Sequence, residues 1–476
     1  MTEAVEKLTK KSEDASRWYL DLVRMAKLAD YGPVRGTFAI RPYGFEIWER
    51  IQSYLDRRFK ETGHKNASFP LLIPESFLNK EAEHVEGFAP ECAWVTMGGN
   101  DELEERLAIR PTSESIICDF YKNWIHSHRD LPVLINQWAN VLRWEMVTRP
   151  FLRTSEFLWQ EGHTVHATAE EARAETLQML DVYQDCFHEM LSIPVLTGMK
   201  SPSERFSGAV ETYTCEALMG DGRALQAATS HDLGQNFAKA FDISFLDENQ
   251  NRVRPYQTSW GFSTRVIGGL ILVHGDDRGL KLPPNLAPTQ AVIVPIWRGK
   301  NKPEVREEAE SLFAELKESG LRMEADLDEE HSPGWKFNEH ELRGVPVRVE
   351  LGPKDIEKGQ AVLVRRDTGE KEFVDRKSVA ARLSELMVEI QQNMLYQASQ
   401  FRHANTHQVE TYDEFKETIA ERRGFVVAPW DGTEETEQKI KDDTKATIRL
   451  LPFEREEGED LVSGKPGKTA VFARAY

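Results

Sequence analysis

A chain of 476 residues is too long for a single hydrophobic core, so two or three domains is the natural division. A hydrophobic content of 40% beside 29% charged residues describes an ordinary globular composition rather than a disordered or membrane-embedded one. A formal charge of −19 repels phosphates at long range and excludes bulk, charge-driven nucleic-acid binding.

The N-terminal stretch MTEAVEKLTKKSEDASRWYL has no apolar segment of the kind a signal peptide needs. In 45–61, FEIWERIQSYLDRRFKE, the residues Ile47, Trp48, Ile51, Leu55 and Phe59 fall on one helical face, and Gly63 closes the helix. The following ASFPLLIP reads as one short buried strand ended by prolines. VLINQWANVLRWEMV alternates and is rich in β-branched and aromatic residues, which predicts paired strands. A second long helix starts at Thr168, where TAEE forms a capping box with Glu171, and it carries Leu177, Leu180, Tyr183, Phe187 and Leu191 towards a core. Successive strands with helices set aside predict a mostly antiparallel sheet. Cys92, Cys118, Cys186 and Cys215 are the only cysteines. Their scatter forms neither a disulfide framework nor a zinc pattern, and a reducing cytoplasm suits them. No run of about 18 uncharged apolar residues occurs, so no membrane span is expected.

The pattern changes after LKLPPNLAP (280–288), a proline-punctuated linker. AVIVPI (291–296), a charged helix over 303–319, LRMEADLD (321–328), a helix around 334–343, VPVRVELG (345–352) and AVLVRR (361–366) predict a small α/β domain of about 100 residues. From Lys336 to Arg382 there are 11 basic and 9 acidic residues, a slightly positive stretch in an acidic protein. A third, polar segment begins near 396, with a Thr411-led helix, a GTEETEQ turn and a β-rich end, KTAVFARAY.

Chemistry concentrates in 143–166, RWEMVTRPFLRTSEFLWQEGHTVH. Alternation about Trp144 puts Arg143 and Glu145 on one face of a strand. A loop with Arg149 and Arg153 follows, and a return strand reaches Glu161 and His163. Arginines presented to one surface suit phosphate or carboxylate oxygens, although a surface salt-bridge ladder satisfies the same spacing. RPTSES groups Arg110, Thr112, Ser113 and Glu114 and is also a plausible helix start. QAATSHDLGQNF offers Gln226, Thr229, Ser230 and His231; TSWGFSTRVIGG offers Ser263 and Arg265; HGDDRG reads first as a charged turn. GKPGKT at 464–469 is similar to a phosphate-binding loop but has Val462 where its first glycine belongs, and a basic turn reads better. His163 and His166 have no further Cys or His nearby in sequence, so no metal site is read there.

Taken in order, RPTSE, RWE…FLRTSEFLWQEGH, TSH, GFSTR and HGDDRGL resemble the prolyl-tRNA synthetases, a class IIa family. The resemblance runs nearly end to end. It implies an α/β multidomain protein: an antiparallel-sheet catalytic domain (1–285), an α/β anticodon-binding domain (286–395) and a small α+β C-terminal domain (396–476). The helix before Pro70 corresponds to motif 1, which implies a homodimer, and the location implied is cytoplasmic. The activity implied is activation of L-proline with ATP and its transfer to tRNA(Pro), with Mg2+ accompanying ATP.

By that resemblance, Arg143, Arg153 and Arg265 are the catalytic residues. Proline would be bound by Thr112, Glu114, Arg143, Trp159, Glu161, His163, Phe206 and His231, and ATP by Arg143, Glu145, Arg153, Thr154, Gln226, Thr229, Ser263 and Arg265. Gln226 would also meet the Mg2+. Phe337, Glu341, Arg348, Glu350 and Lys354 would read anticodon bases. The spacing of about 100 residues between motifs 2 and 3 leaves no room for an inserted editing domain, so alanine and cysteine would go uncorrected in cis. Trp430, Thr436 and EDLVSG stand where relatives carry zinc cysteines, so no zinc is expected, and the terminal Tyr476 would tuck towards the active site. A threonine-specific relative is disfavoured because the presumed pocket lacks a zinc ligand set. A silent paralogue is disfavoured because Arg143 and Arg265 are both present.

Overall fold

The structure, a computed structural model, describes residues 7–84, 91–297 and 299–476; the first six residues of the N-terminal stretch discussed above lie outside them. The first long helix spans Pro42–Glu61 and buries Ile47, Trp48, Ile51, Leu55 and Phe59, the predicted stripe. Pro42 sits in its first turn, where a missing N–H costs nothing, and Gly63 takes φ +93 just past its end. ASFPLLIP departs from the prediction of one buried strand. Lys65–Asn66 lies just ahead of it and pairs with Ile135–Asn136. Leu72–Pro74 pairs instead with Leu107–Ile109 in a separate three-stranded sheet. Pro70 cannot donate to a ladder, so the chain changes sheets around it. Leu71 and Leu72 are left exposed.

The central sheet has seven strands: β1 (Lys65–Asn66), β2 (Val133–Leu142), β3 (Glu156–His166), β4 (Val195–Met199), β5 (Glu211–Leu218), β6 (Ala224–Gly234) and β7 (Tyr256–Ser263), in the order β1-β2-β3-β7-β6-β5-β4. Only β1 against β2 is parallel; the other neighbours are antiparallel, as the strand pattern predicted. Its rear face is covered by the helix Ala169–Glu189, whose Leu180, Tyr183 and Phe187 pack with Phe59, Trp260 and Phe262, while Leu177 is only partly buried. Thr168 caps this helix by accepting from the Glu171 N–H, but the Glu171 carboxylate accepts from Ala167 N–H rather than closing the predicted box on Thr168. Gly162 on β3 lies against the Trp260 ring of β7; a Cβ there would sit 2.1 Å from it.

The segment 280–288 is a strap and not a loose linker. Leu280, Leu282, Leu286 and Ala287 are buried in the main core, and the N–H groups of Leu280 and Leu282 donate to Leu342 and Gly344 of the next unit. That unit holds a five-stranded sheet ordered Met323–Ala325, Ala291–Pro295, Val347–Leu351, Gln360–Arg365 and Lys371–Asp375. The first three strands are parallel and the last two antiparallel, with helices Lys302–Glu318 and Pro333–Leu342 as predicted. The edge strand Lys371–Asp375 went unread because its burial pattern is nearly all exposed. The helix Val379–Ala404 runs straight through the expected boundary at 395/396.

The C-terminal unit builds its sheet from Thr406–Gln408, Phe425–Trp430, Pro466–Arg474 and Ala446–Leu450, with Glu457–Glu459 beside Pro466–Arg474. GTEETEQ is not a turn. Thr433 caps the helix Glu434–Thr444, and Glu434, Glu435 and Glu437 in its first turn complement the helix dipole. GKPGKT forms a turn at Gly464 (φ +67) that enters the last strand. Near Trp430 and Thr436, where cysteines would stand in relatives, a carboxylate does the clipping. Asp431 accepts from Thr433 N–H and Oγ1, Thr436 Oγ1 and Ser463 Oγ, while Asp460 accepts from the N–H groups of Asp431, Val462 and Ser463. These residues offer oxygens and no thiolates, so a cysteine-built zinc site cannot form among them.

Candidate active site

A cavity of about 250 Å³ opens on the front face of the central sheet. Its floor follows from register, because directly opposed residues in an antiparallel sheet point to the same side. One row runs Gln137, Glu161, Gly261 and Thr229 across β2, β3, β7 and β6; the next runs Ile135, His163, Ser259, His231 and Thr212 across to β5. Trp159 opposes Ser263 at the edge nearest Arg265, which begins the helix Arg265–His274.

Arg143 reaches this cavity differently from the strand alternation expected of it. The strand ends at Leu142, and 143–155 is a loop in which Trp144 is exposed. The N–H of Arg143 donates to Ser155 O at 2.8 Å, closing the loop at its neck. Its Nε donates to Pro111 O at 3.0 Å, and the guanidinium lies 5.5 and 5.4 Å from the ring centres of Phe157 and Trp159. Arg265 donates to Gln226 O at 3.5 Å. Neither guanidinium has a carboxylate within 4.0 Å among the described residues. Burial pulls the pKa of both below the ordinary arginine value; for Arg265 the charge of Arg143 adds to this, and for Arg143 Glu114 and Glu161 work against it.

The acidic part of the lining is tightly bonded. Glu161 is buried and accepts from Ser113 Oγ, from Gln137 Nε2 at 2.8 Å and from His163 Nε2 at 3.2 Å. Burial favours its neutral form, but these donors outweigh burial and hold the carboxyl below its usual range. For His163 burial is likewise the largest influence, yet the bond to Glu161 and the charges of Glu114 and Glu161 raise its pKa. Thr112 Oγ1 donates to Glu114, which is also buried. Ser113 stands at the start of the helix Glu114–Trp124, but its hydroxyl serves Glu161 instead of capping, so RPTSES is more than a helix start. His231 stacks on Phe206 with ring centres 4.6 Å apart, and its Nδ1 lies 3.0 Å from Thr212 Oγ1. Burial and the neighbouring His163 push its pKa down to about 3, so the ring is neutral at physiological pH. Trp159 Nε1 and Ser259 Oγ, both on the cavity wall, are buried without a hydrogen-bond partner among the described residues.

Of the residues singled out in the sequence, Thr112, Glu114, Arg143, Trp159, Glu161, His163, Phe206, Gln226, Thr229, His231, Ser263 and Arg265 all line this one cavity. Arg153 and Glu145 pair with each other at 2.7 Å, with Arg153 exposed, and Thr154 faces a neighbouring, mainly apolar cavity with Phe38, Phe45 and Phe151. Phe157, Glu204, Thr212, Ser259, Gly261 and Phe262 also line the site and were not singled out. Alternation on the two central strands carries a signal for three of them: Phe157 precedes Trp159 by two residues, and Ser259 and Gly261 precede Ser263 in steps of two. Tyr476 lies outside this lining. Its hydroxyl donates to Asp221 at 2.5 Å, its N–H donates to Ala224 O at 3.0 Å, and its ring sits 5.9 Å from the Arg149 guanidinium of the loop above the site.

Far along the chain, four of the five anticodon candidates form one cluster. Arg348 donates to Glu350 at 2.8 and 3.0 Å and to Glu341 at 3.1 Å, and it lies 4.0 Å from the Phe337 ring centre. Lys371 adds a second cation to Glu350 at 3.3 Å. Lys354 is exposed on the short helix Pro353–Glu357.

The chain matches three family descriptions: "tRNA synthetase class II core domain (G, H, P, S and T)" over 94–274, "Anticodon binding domain" over 290–386 and "Prolyl-tRNA synthetase, C-terminal" over 412–476. It is 85% identical to the proline–tRNA ligase of Rubrobacter xylanophilus over 476 residues, covering all of both chains. It is 58% identical to that of Natranaerobius thermophilus, covering 100% of this chain and 99% of the other. With proline–tRNA ligase 2 of Clostridioides difficile the identity is 54%, over 99% and 98% of the two chains.

Proposed function

The chain belongs to the proline–tRNA ligase family of class II tRNA synthetases, and from that membership we propose how its cavity performs the ligation. The activity is the joining of proline to tRNA, and ATP is the energy source of the class. One observation carries the assignment of the site: two guanidiniums, Arg143 and Arg265, have no carboxylate in ion-pair range among the described residues, in a cavity that Glu114 and Glu161 also line. Unpaired buried cations are costly unless an anion arrives to meet them.

Proline binds at the acidic end. Its secondary ammonium meets Glu114 beside Thr112 and the Glu161–His163 pair, and its ring lies between Trp159, Phe206 and the neutral His231. Its carboxylate points to Arg143. ATP takes the other end, with adenine against Arg265 near Ser263 and with Gln226 and Thr229 beneath the ribose and phosphates. Arg153 and Thr154 serve the outer phosphates, which requires Arg153 to exchange Glu145 for the nucleotide. Gln226, which lines this end, would add a ligand to a Mg2+ carried by the ATP phosphates, and the ion would supply neutralisation of phosphate charge.

The first step is attack of a proline carboxylate oxygen on the α-phosphorus, forming the prolyl-adenylate as the bond to pyrophosphate breaks. Arg143 bridges the two reactants, so the acceleration comes from positioning and charge neutralisation, with no side chain acting as nucleophile. The terminal adenosine hydroxyl of tRNA(Pro) then attacks the prolyl carbonyl carbon and AMP departs. The Phe337–Glu341–Arg348–Glu350 cluster, with Lys354, reads anticodon bases by stacking and by their hydrogen-bonding edges. The protein acts as a cytoplasmic homodimer through the face around Pro42–Glu61, next to the sheet-edge strand Lys65–Asn66 and the exposed Leu71 and Leu72. Between β3 and β7 the chain forms the helix Ala169–Glu189, β4 to β6 and short connections, and no further domain. Alanine and cysteine, which fit a proline-sized space, are therefore activated without correction in cis.

Pyrophosphate exchange with each amino acid in turn tests this reading. Exchange with proline, and weaker exchange with alanine or cysteine, is the expected result. A folded protein that binds tRNA yet stays silent with proline would make it a regulatory RNA-binding relative instead.

A further inference from the structure

The outer edge of the central sheet carries a buried charge cluster that the reaction described above does not use. Glu216 on β5 is 0% exposed, and Lys200 and Arg449 are 5% and 4% exposed. Lys200 Nζ donates to Glu216 at 2.9 Å and to Arg449 O at 2.8 Å. Arg449, from the strand Ala446–Leu450 of the C-terminal unit, grips both Glu216 oxygens at 3.0–3.2 Å. Reciprocal bonds between Met199 and Leu451 dock that strand on β4, the edge of the sheet.

Register connects this cluster to the cavity. On β6, His231 and Thr229 face the cavity in a step of two, and continued alternation would bring Ala227 next and turn Gln226 to the rear. A β-bulge intervenes: Cys215 opposes Ala228 but Glu216 opposes Gln226, so Ala227 is the extra residue. The bulge returns Gln226 to the front face, where it lines the cavity and its carbonyl accepts from Arg265. On β5, Thr212, Thr214 and Glu216 share that face; Thr212 lines the cavity, and Thr214 Oγ1 donates to Glu216 at 3.1 Å. Glu216 thus sits directly across the bulge from Gln226, clamped from outside by two cations.

We propose that Arg449 is a positioning residue for the nucleotide half of the site: through Glu216 it holds the bulge that aims Gln226 into the cavity. The C-terminal unit thereby contributes to ATP binding without touching ATP. A carboxylate buried beside one cation less would relax towards solvent, and the strand carrying it would move with it. The inference rests on the assignment of Gln226 to the ATP end.

Pyrophosphate exchange measured at varied ATP and at varied proline tests it. Arg449→Met raises KM for ATP about tenfold while KM for proline stays within about twofold, and Arg449→Lys recovers most of the loss. In the Gln226→Ala background Arg449→Met adds nothing further, because both changes remove one device. All assays run below the unfolding temperature read by circular dichroism. Should Arg449→Met not fold, Glu216→Gln, which keeps the shape but sets an amide NH2 against the donors of Arg449 or Lys200, takes its place with the same expectation. Equal rises in both KM values, or an effect additive with Gln226→Ala, would overturn the inference while leaving the site intact. An unchanged KM for ATP in Gln226→Ala itself would overturn the assignment of that end of the cavity, and the inference with it.

Discussion

The protein holds arginine in two opposite ways. In the cavity of the central sheet, Arg143 and Arg265 rest on carbonyls and, for Arg143, aromatic rings, with no carboxylate in ion-pair range among the described residues. In the anticodon-domain cluster, Arg348 is clasped by Glu341 and Glu350 and covered by Phe337. The first arrangement keeps positive charge in reserve for a ligand rich in anionic oxygen. The second is already neutralised, so it gains little from phosphate and more from partners that can exchange hydrogen bonds, such as base edges. On the proposed reading, a chain of net charge −19 would engage RNA through such local devices and not through its global field.

The largest test of this contrast is Arg143→Ala, which should lower proline-dependent exchange by about 10³-fold or more with the unfolding transition preserved. Near-normal exchange would break the assignment of the cavity. At the other region Arg348→Ala should weaken tRNA by about 1–3 kcal/mol, read as a raised KM for tRNA with exchange kinetics unmoved. A matching loss in exchange would mean that the two regions are not separable.

Two smaller effects probe what holds each region. Asp431→Asn removes the charge at the centre of the Asp431–Asp460 clip, whose hydrogen bonds lower that carboxyl to about 2 against the influence of burial. A loss of about 1–3 kcal/mol in urea unfolding is expected, with exchange unaffected below the transition. His231 should make a weaker, pH-dependent mark. Its folded pKa of about 3 lies below the unfolded value of about 6.5. Between those values the unfolded ring takes up a proton that the folded one refuses, so its contribution is complete above about pH 6.5 and shrinks as acid is added. His231→Gln should flatten the acid side of the stability profile, and an unchanged slope would show that the ring is not held neutral.

The residues that line the cavity come in short, ordered motifs, and it is the family resemblance of those motifs that singled out Arg143, Glu161, His163, His231 and Arg265; by residue type alone a salt-bridge ladder or a structural histidine fits them equally well. Glu204 could not be singled out, since nothing in its surroundings, KSPSERFSG, sets it apart from a surface loop. The reason offered for Arg143 also differed from the structural one: it stands at a loop neck pinned by Ser155 and owes nothing to strand alternation. The turn expected at GTEETEQ became a helix because Thr433 supplies a cap that composition alone does not reveal. The edge strand Lys371–Asp375 escaped notice because an exposed edge has no hydrophobic alternation to show.

The sequence by itself determined the family, the amphipathic helices and the antiparallel character of the main sheet, because periodicity and motif chemistry are local properties. Tertiary structure alone decided that Thr112, Trp159, Phe206, Gln226 and Arg265 meet in one cavity, since strand order β3-β7-β6-β5 places neighbours that are far apart in the chain. It alone decided that Ala227 is bulged and Gln226 faces forward, because a one-residue shift of register inverts which face every following side chain occupies.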